Sequence, residues 1–201
     1  DSWHLYPVLV QEIIDHLNSD SRLAIFSTDG AGDTLDGIWS ERLESNKGFQ
    51  KSLAMERPSL FLVNGGGNDL LQAKPAADGT MIGNLFFHLK QYQSGMTAAD
   101  LIKSSIDTEY AAAEAKLRGI ITTALGFSFV RKIVFHGYDY PFPQNDLWLG
   151  KPMAKRGIAS PALQRQICIL LMDKLHARLN AIKQSFASTG RVIYVDVRGS
   201  V

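Results

Sequence analysis

"SLFLVNGGGNDLL", Ser59 to Leu71, joins a short apolar run to a glycine turn and then to a polar pair. A short run of branched and aromatic residues is typical of a buried strand. The glycines let the backbone turn sharply and approach a neighbour closely. Asn68 and Asp69 then stand where a helix can begin. The stretch therefore predicts strand, turn and helix, which is the unit from which α/β folds are built.

Three other apolar runs read as strands, and helical patterns separate them. The runs are "LAIFS" (Leu23 to Ser27), "KIVFHG" (Lys132 to Gly137) and "RVIYVDV" (Arg191 to Val197). Their apolarity is continuous rather than alternating, which is typical of parallel strands covered on both faces. The helical patterns are "YPVLVQEIIDHL", "TAADLIKSSIDTEYAAAEAKL" and "SPALQRQICILLMDKLHARLNAIKQSF". This alternation predicts a parallel sheet between layers of helices.

Capping residues mark the ends of two of these helices. Thr97 and Asp100 have the spacing of a capping box. Ser160 is a predicted N-cap, Pro161 occupies the first helical position, and Gly190 is a predicted stop.

The composition indicates one globular domain over residues 1–201 and excludes several classes of protein. The hydrophobic content is 45%, enough for a full core. The net charge is +1 and no basic run carries interleaved aromatics, so nothing points to nucleic acid. The apolar runs are too short for a membrane span. The single Cys168 lies in an apolar helical stretch and is a predicted core residue. No cofactor or metal is implied.

Three loops could carry chemistry, and each has an ordinary structural explanation as well. Asn68 offers an amide donor, although it or Asp69 could simply cap a helix. The loop "STDGAGDTLDGI" offers backbone N–H groups at Gly32, or is an ordinary strand-to-helix connection. Ser2, in "DSW", stands where a loop would leave a strand placed before Asp1. Ligands of such sheets bind at the carboxyl ends of the strands.

Taken in order, the three loops resemble the first three sequence blocks of the SGNH, or GDSL-like, hydrolases. Asp1-Ser2 matches Gly-Asp-Ser without its glycine, Gly32 in "GDTL" matches the second block, and "GGND" ending at Asp69 matches Gly-x-Asn-Asp. The resemblance covers essentially the whole chain. It implies a three-layer α/β/α sandwich with a mostly parallel, flavodoxin-like sheet, whose first strand and last helix are expected outside this chain.

The resemblance also implies a role for each matched residue. Ser2 would be the nucleophile that attacks an ester carbonyl. The backbone N–H groups of Ser2 and Gly32 and the side-chain amide of Asn68 would form the oxyanion hole. Acyl transfer requires both an activated hydroxyl and donors preorganised around the tetrahedral oxygen.

The fourth family block, Asp-x-x-His, has no clear match. "DSWH" at Asp1 to His4 overlaps the nucleophile, and "DKLH" at Asp173 to His176 lies inside a long helix, where we interpret it as a pair on the helix surface. We therefore expect the general base His and its Asp beyond Val201.

His136 is the alternative base, because it ends a predicted strand, although an ordinary hydrogen-bonded histidine is the favoured interpretation of this position. Tyr138 and Tyr140 follow it and could line a substrate pocket. His88 and His16 have the pattern of ordinary helix residues. The long connection from Asp69 to Lys132 could form a lid or substrate wall, or extra packing against the sheet.

The sequence thus predicts a serine ester hydrolase that acts through an acyl-serine intermediate on a small-molecule, lipid or carbohydrate ester. A catalytically inactive SGNH-like ligand-binding domain is the alternative, and a nucleotide or phosphate binder is a third that lacks a lysine at either glycine loop. The sequence does not define the oligomeric state. No signal peptide precedes the domain, which favours a cytoplasmic location, and a leader removed before Asp1 is compatible with the same sequence.

Overall fold

The computed structural model describes residues 13–28, 32–44 and 48–199. This part of the chain has a mixed α/β fold. The helices are α1 (Ile13–Asn18), α2 (Leu35–Ser40), α3 (Phe49–Glu56), α4 (Gly67–Leu71), α5 (Ala98–Leu101), α6 (Ile106–Leu125), α7 (Gly150–Lys155) and α8 (Pro161–Ser185). The strands are β1 (Leu60–Val63), β2 (Ala73–Pro75), β3 (Met81–Gly83), β4 (Lys132–His136) and β5 (Val192–Val195).

The main sheet is parallel, as the continuous apolar runs predict. Its strand order is β1-β4-β5. Leu62 pairs with Val134, and Phe135 pairs with Tyr194. Because all three strands run the same way, their carboxyl ends share one edge of the sheet. The predicted strands within Ser59–Asn64, Lys132–Gly137 and Arg191–Val197 are therefore confirmed.

The fourth predicted strand, "LAIFS" from Leu23 to Ser27, is wrong. Residues 23–28 have no regular structure, and Leu23 and Phe26 are 43% and 60% exposed. A strand exists only through ladder bonds to a neighbour. Among the described residues, no strand pairs with this run.

The core lies between one face of the sheet and the long helices. Ile133 and Phe135 point into this face and are buried, as are Ile120 of α6 and Ile182 of α8. On the opposite face Leu62, Ile193 and Val195 are exposed large apolar side chains. The α/β class is thus established, whereas a second helical layer, and with it the SGNH sandwich, stays a prediction.

The predicted helix starts are confirmed. Thr97 and Asp100 form a reciprocal capping box, and the Ser160 hydroxyl accepts from the Leu163 N–H. Gly190 ends the turn after α8 in a left-handed conformation with φ +59°. Cys168 is buried in α8, where burial raises the pKa of its thiol to about 12. It is a core residue, as predicted.

The helix predicted from Thr97 to Leu117 is interrupted. The chain forms α5, breaks, and begins again at Ile106 as α6. In the break, Ile102 pairs with Leu89 in an antiparallel bridge, and the Lys103 N–H donates to the His88 carbonyl at 2.8 Å. Tertiary pairing therefore overrides the helical periodicity. The connection that contains this break also holds the β2–β3 hairpin.

A buried hydroxyl links the two long helices and provides a stability test. Tyr110 of α6 donates to the Leu171 carbonyl of α8 at 2.8 Å, and its side chain is 1% exposed. We predict that Tyr110→Phe lowers the free energy of unfolding by about 1 kcal/mol, the net value of one such bond. Urea denaturation measures this change. The control is Tyr92→Phe at an exposed position, and an equal loss in both variants would contradict the prediction.

Candidate functional site

The turn between β1 and α4 depends on its glycines for specific geometric reasons. Gly66 has φ +107°, a conformation that side chains other than glycine adopt at a cost. A Cβ on Gly65 would lie 2.6 Å from Leu35 Cδ2, closer than atoms can approach. The sequence "GGG" therefore lets the turn pack directly on Leu35, which is itself buried at the start of α2.

Asn68 and Asp69 fasten this turn to the segment that precedes α2. The Asn68 Nδ2 donates to the Asp33 carbonyl at 2.9 Å. The Asp69 carboxylate accepts from the Leu35 N–H at 2.8 Å and from the Asp36 N–H at 3.2 Å. Asp69 therefore caps a helix distant in sequence, rather than its own. The two loops that sequence analysis singled out as second and third blocks are in direct contact.

Gly32 stands next to Asp33 in this contact, and the structure thus places it beside Asn68. It is exposed and has φ +87°. Thr34 caps α2 by accepting from the Gly37 N–H at 3.0 Å, which sets where the helix begins. Ser2, the third predicted member of the site, lies outside the described residues. The structure therefore brings together two of the three predicted loops.

Tyr138 supports the glycine turn from the neighbouring strand. Its hydroxyl accepts from the Gly67 N–H at 3.0 Å, and a Cβ on Gly67 would lie 2.8 Å from the Tyr138 ring. Burial raises the pKa of the Tyr138 phenol, so the hydroxyl stays neutral. We predicted Tyr138 as pocket lining; its observed contacts are those of a support beneath the Asn68 turn.

His136 ends β4 at the same edge of the sheet. Its side chain is partly buried, and its Nδ1 lies 2.6 Å from the Gly137 carbonyl oxygen. Since a carbonyl only accepts, this contact assigns the proton to Nδ1 and the lone pair to Nε2. Burial lowers the pKa of His136, so the imidazole is neutral at neutral pH.

His176 is not a surface residue, and that part of the Asp173–His176 interpretation is wrong. Its side chain is 1% exposed. Its Nε2 lies 2.7 Å from the Tyr138 carbonyl, and its Nδ1 contacts the Tyr194 hydroxyl and, at 3.1 Å, Asp196 Oδ1. Both ring nitrogens are occupied by protein partners, so His176 is unsuited to be a general base. A Cβ on Gly137 would lie 2.6 Å from His176 Cε1, so the imidazole packs directly against this glycine.

Polar contacts also fix the residues that leave β5. Arg198 pairs with Asp196 at 2.6 Å and with Asp173 at 2.7 Å. Asp173 in turn accepts from the Tyr140 hydroxyl at 2.7 Å. Tyr140, predicted to line a pocket, therefore ties the loop after β4 to α8. The segment after β5 is held against the loop after β4 at the edge where the site lies.

Two general properties complete the description. Among residues 13–28, 32–44 and 48–199, no group of three or more His, Cys, Asp or Glu side chains is arranged to hold a metal ion. No helix of the described chain combines the length and apolar character that a bilayer crossing needs.

Comparison with known proteins adds no family assignment. No family model, curated protein or solved structure matches the chain.

The support from Tyr138 can be measured by hydrogen exchange. We predict that Tyr138→Phe speeds exchange of the Gly67 amide several-fold, because the N–H loses an acceptor whose net value is about 1 kcal/mol. Tyr140→Phe is the matched control, since the Tyr140 hydroxyl binds Asp173 instead. Unchanged exchange at Gly67 in Tyr138→Phe would show that the hydroxyl does not hold the turn.

The Asp196–Arg198 pair predicts an acid titration. The Arg198 guanidinium lowers the pKa of Asp196 from 3.8 to about 2. Because the folded-state pKa is the lower one, the pairing stabilises the fold above about pH 3.8 and is lost as the pH falls through about 2. Carboxyl NMR should show this midpoint, and Arg198→Met should move it upward. Arg22→Met, which removes the similarly spaced partner of Asp20, should leave Asp196 unchanged; a shift there would contradict the assignment.

Proposed function

We propose that the chain is part of a serine ester hydrolase of the SGNH type, which cleaves a carboxylic ester through an acyl-serine intermediate. The observation that carries the proposal is the contact between the two predicted oxyanion loops. Asn68 bonds to Asp33, and Asp69 clamps the start of α2. Two segments more than thirty residues apart in sequence therefore meet at the carboxyl-end edge of a parallel sheet, where ligands of such sheets bind.

In this mechanism the Ser2 oxygen attacks the ester carbonyl carbon while a general base takes its proton. The carbonyl oxygen becomes an oxyanion, which accepts from the N–H groups of Ser2 and Gly32 and from Asn68. Collapse expels the alcohol, which receives the proton from the base. Water then hydrolyses the acyl-serine by the reverse proton transfers. No metal or cofactor takes part.

Asn68 has the donors that this role needs. A primary amide nitrogen carries two N–H groups. One of them donates to the Asp33 carbonyl and fixes the orientation of the amide. The proposal assigns the side-chain amide of Asn68 to the oxyanion. A donor held in place before the reaction costs no reorganisation at the transition state, which is why such donors are effective.

The general base is assigned to a His beyond Val201, with an Asp three residues before it. As far as Gly199, the segment after β5 is held beside the loop after β4, because Arg198 binds Asp173 and the Gly199 N–H donates to Asp139. His136 is the second candidate, since it ends β4 at that edge. The substrate class is a small-molecule, lipid or carbohydrate ester.

The test uses the full-length protein and a panel of aryl, acetyl-sugar and lysolipid esters. We predict that Ser2→Ala abolishes hydrolysis and that Asn68→Ala lowers kcat by ~10²–10³ with little change in KM, the usual effect of removing one oxyanion donor. Asn180→Ala, at an exposed position of α8, is the matched control and should retain full activity.

Each other outcome has a definite meaning. Activity that persists in Ser2→Ala would remove Ser2 as the nucleophile. A full-length protein that binds esters without hydrolysing them would favour the non-catalytic relative. Nucleotide affinity together with no ester turnover would favour a phosphate-binding domain.

A further inference from the structure

A second serine, Ser105, lies against a buried histidine away from the proposed oxyanion loops. His88 ends the 3₁₀ turn Asn84–His88 and is 7% exposed. Its Nδ1 lies 2.9 Å from the Ser105 hydroxyl oxygen. Its Nε2 lies 3.4 Å from Glu109 Oε1. Hydroxyl, imidazole and carboxylate thus follow one another in the order that activates a serine nucleophile.

The fold, rather than chance proximity of loops, brings these groups together. The bridge between Leu89 and Ile102, with the Lys103 N–H bonded to the His88 carbonyl at 2.8 Å, fixes the turn beside the start of α6. Ser105 precedes α6 by one residue, and Glu109 lies in its first turn. Residues four apart share a helix face, so both side chains lie on the side that His88 occupies.

The charges around His88 favour a neutral imidazole whose Nδ1 can accept the Ser105 proton. Burial lowers the pKa of His88, so the imidazole is neutral at neutral pH. Burial alone would raise the pKa of Glu109, but neighbouring donors and the Lys74 ammonium at 3.4 Å hold it below its ordinary value. An ionised carboxylate beside Nε2 favours the proton on that nitrogen. The lone pair of Nδ1 then faces the Ser105 hydroxyl.

Two buried donors in this cluster have no hydrogen-bond partner within the described chain. They are His88 Nε2 and Asn84 Nδ2. His88 Nε2 lies 3.4 Å from Glu109 Oε1, but the two groups are not aligned as a hydrogen bond. Burying a donor without a hydrogen bond destabilises the fold. The Glu109 carboxylate is the acidic group that faces His88 Nε2.

We propose that Ser105 is a reactive serine that attacks electrophilic acyl and phosphonyl esters, with His88 as its base and Glu109 as the group that orients and stabilises the imidazole. The Ser105 oxygen forms a bond to the carbonyl carbon or phosphorus, and His88 Nδ1 takes the hydroxyl proton. The bond to the leaving group breaks, and that group departs with the electron pair. The product is a Ser105 ester. This reactivity is independent of Ser2.

The surroundings limit the reaction to formation of this adduct. Ser105 is exposed, so a reagent can reach it. The N–H groups of Ile106, Asp107 and Thr108 are bonded to the carbonyls of residues 103–105 at 3.3, 2.9 and 3.2 Å. The first turn of α6 therefore offers no preorganised oxyanion donors. We expect labelling of Ser105 without rapid turnover.

The test is labelling of the full chain with a fluorophosphonate probe in the Ser2→Ala background, read by peptide mass spectrometry. Serine attack on phosphorus expels fluoride, and the serine proton passes to His88. We predict an adduct on Ser105 and none on Ser104, the adjacent exposed serine, which has no histidine contact among the described residues. Urea-unfolded protein should show no adduct at either position.

Variants of the two supporting residues separate activation from simple exposure. His88→Asn retains a polar atom near Nδ1 but removes the base, and should slow labelling by about 10²-fold. Glu109→Gln keeps the side-chain volume and should slow it less. Circular dichroism and urea midpoints establish that each variant is folded. If His88→Asn were unfolded, the labelling rate of Glu109→Gln would test whether the cluster activates Ser105. Absence of a Ser105 adduct, equal labelling of Ser104, or a rate unchanged in folded variants would overturn the proposal.

Discussion

The Asp69 carboxylate, bonded to the N–H groups of Leu35 and Asp36, is the contact on which the arrangement of the site depends. It joins the turn after β1 to a segment that belongs to no strand. Residues 23–28 before that segment have no regular structure, so no ladder positions it. Two charge-assisted hydrogen bonds, together with the packing of Leu35 beneath Gly65, do so instead. Contacts with the turn after β1, rather than strand pairing, therefore position the loop of Gly32 and Asp33.

The parts of the fold that sequence predicts are those governed by local rules. Ser160 and the Thr97–Asp100 box set helix starts within one turn, and both are observed. The strands of the main sheet also carry their own signal, because continuous apolar runs are typical of parallel strands. The wrong predictions lie where pairing between residues distant in sequence determines the local structure. The run at Leu23 has strand composition without a ladder partner, and Ile102 leaves the helical pattern to pair with Leu89.

The histidines show why a site is harder to predict than a fold. His176 is buried, and its neighbours one turn away along α8 include buried Met172 and Leu179 as well as exposed Asn180, so its helical position alone does not decide its burial. His88 and Ser105 are seventeen residues apart and meet through the bridge that interrupts the predicted helix. No spacing of residues in the sequence predicts this contact. Glycines are an ambiguous signal, since Gly65 and Gly137 each meet a close neighbour whereas Gly79 meets none.

The exits of all three parallel strands form one hydrogen-bonded unit, and this bears on where a base could act. Tyr138 accepts from Gly67 through its hydroxyl and from His176 through its carbonyl. His176 contacts Asp196 at the end of β5, and Arg198 continues the network to Asp173. A displacement at any exit would disturb buried polar contacts at the others. The glycine turn with Asn68 and the segment that leaves β5 are consequently held in fixed relation. The described carboxyl-end edge of the sheet is therefore rigid, and the positioning of groups for proton transfer depends on such rigidity.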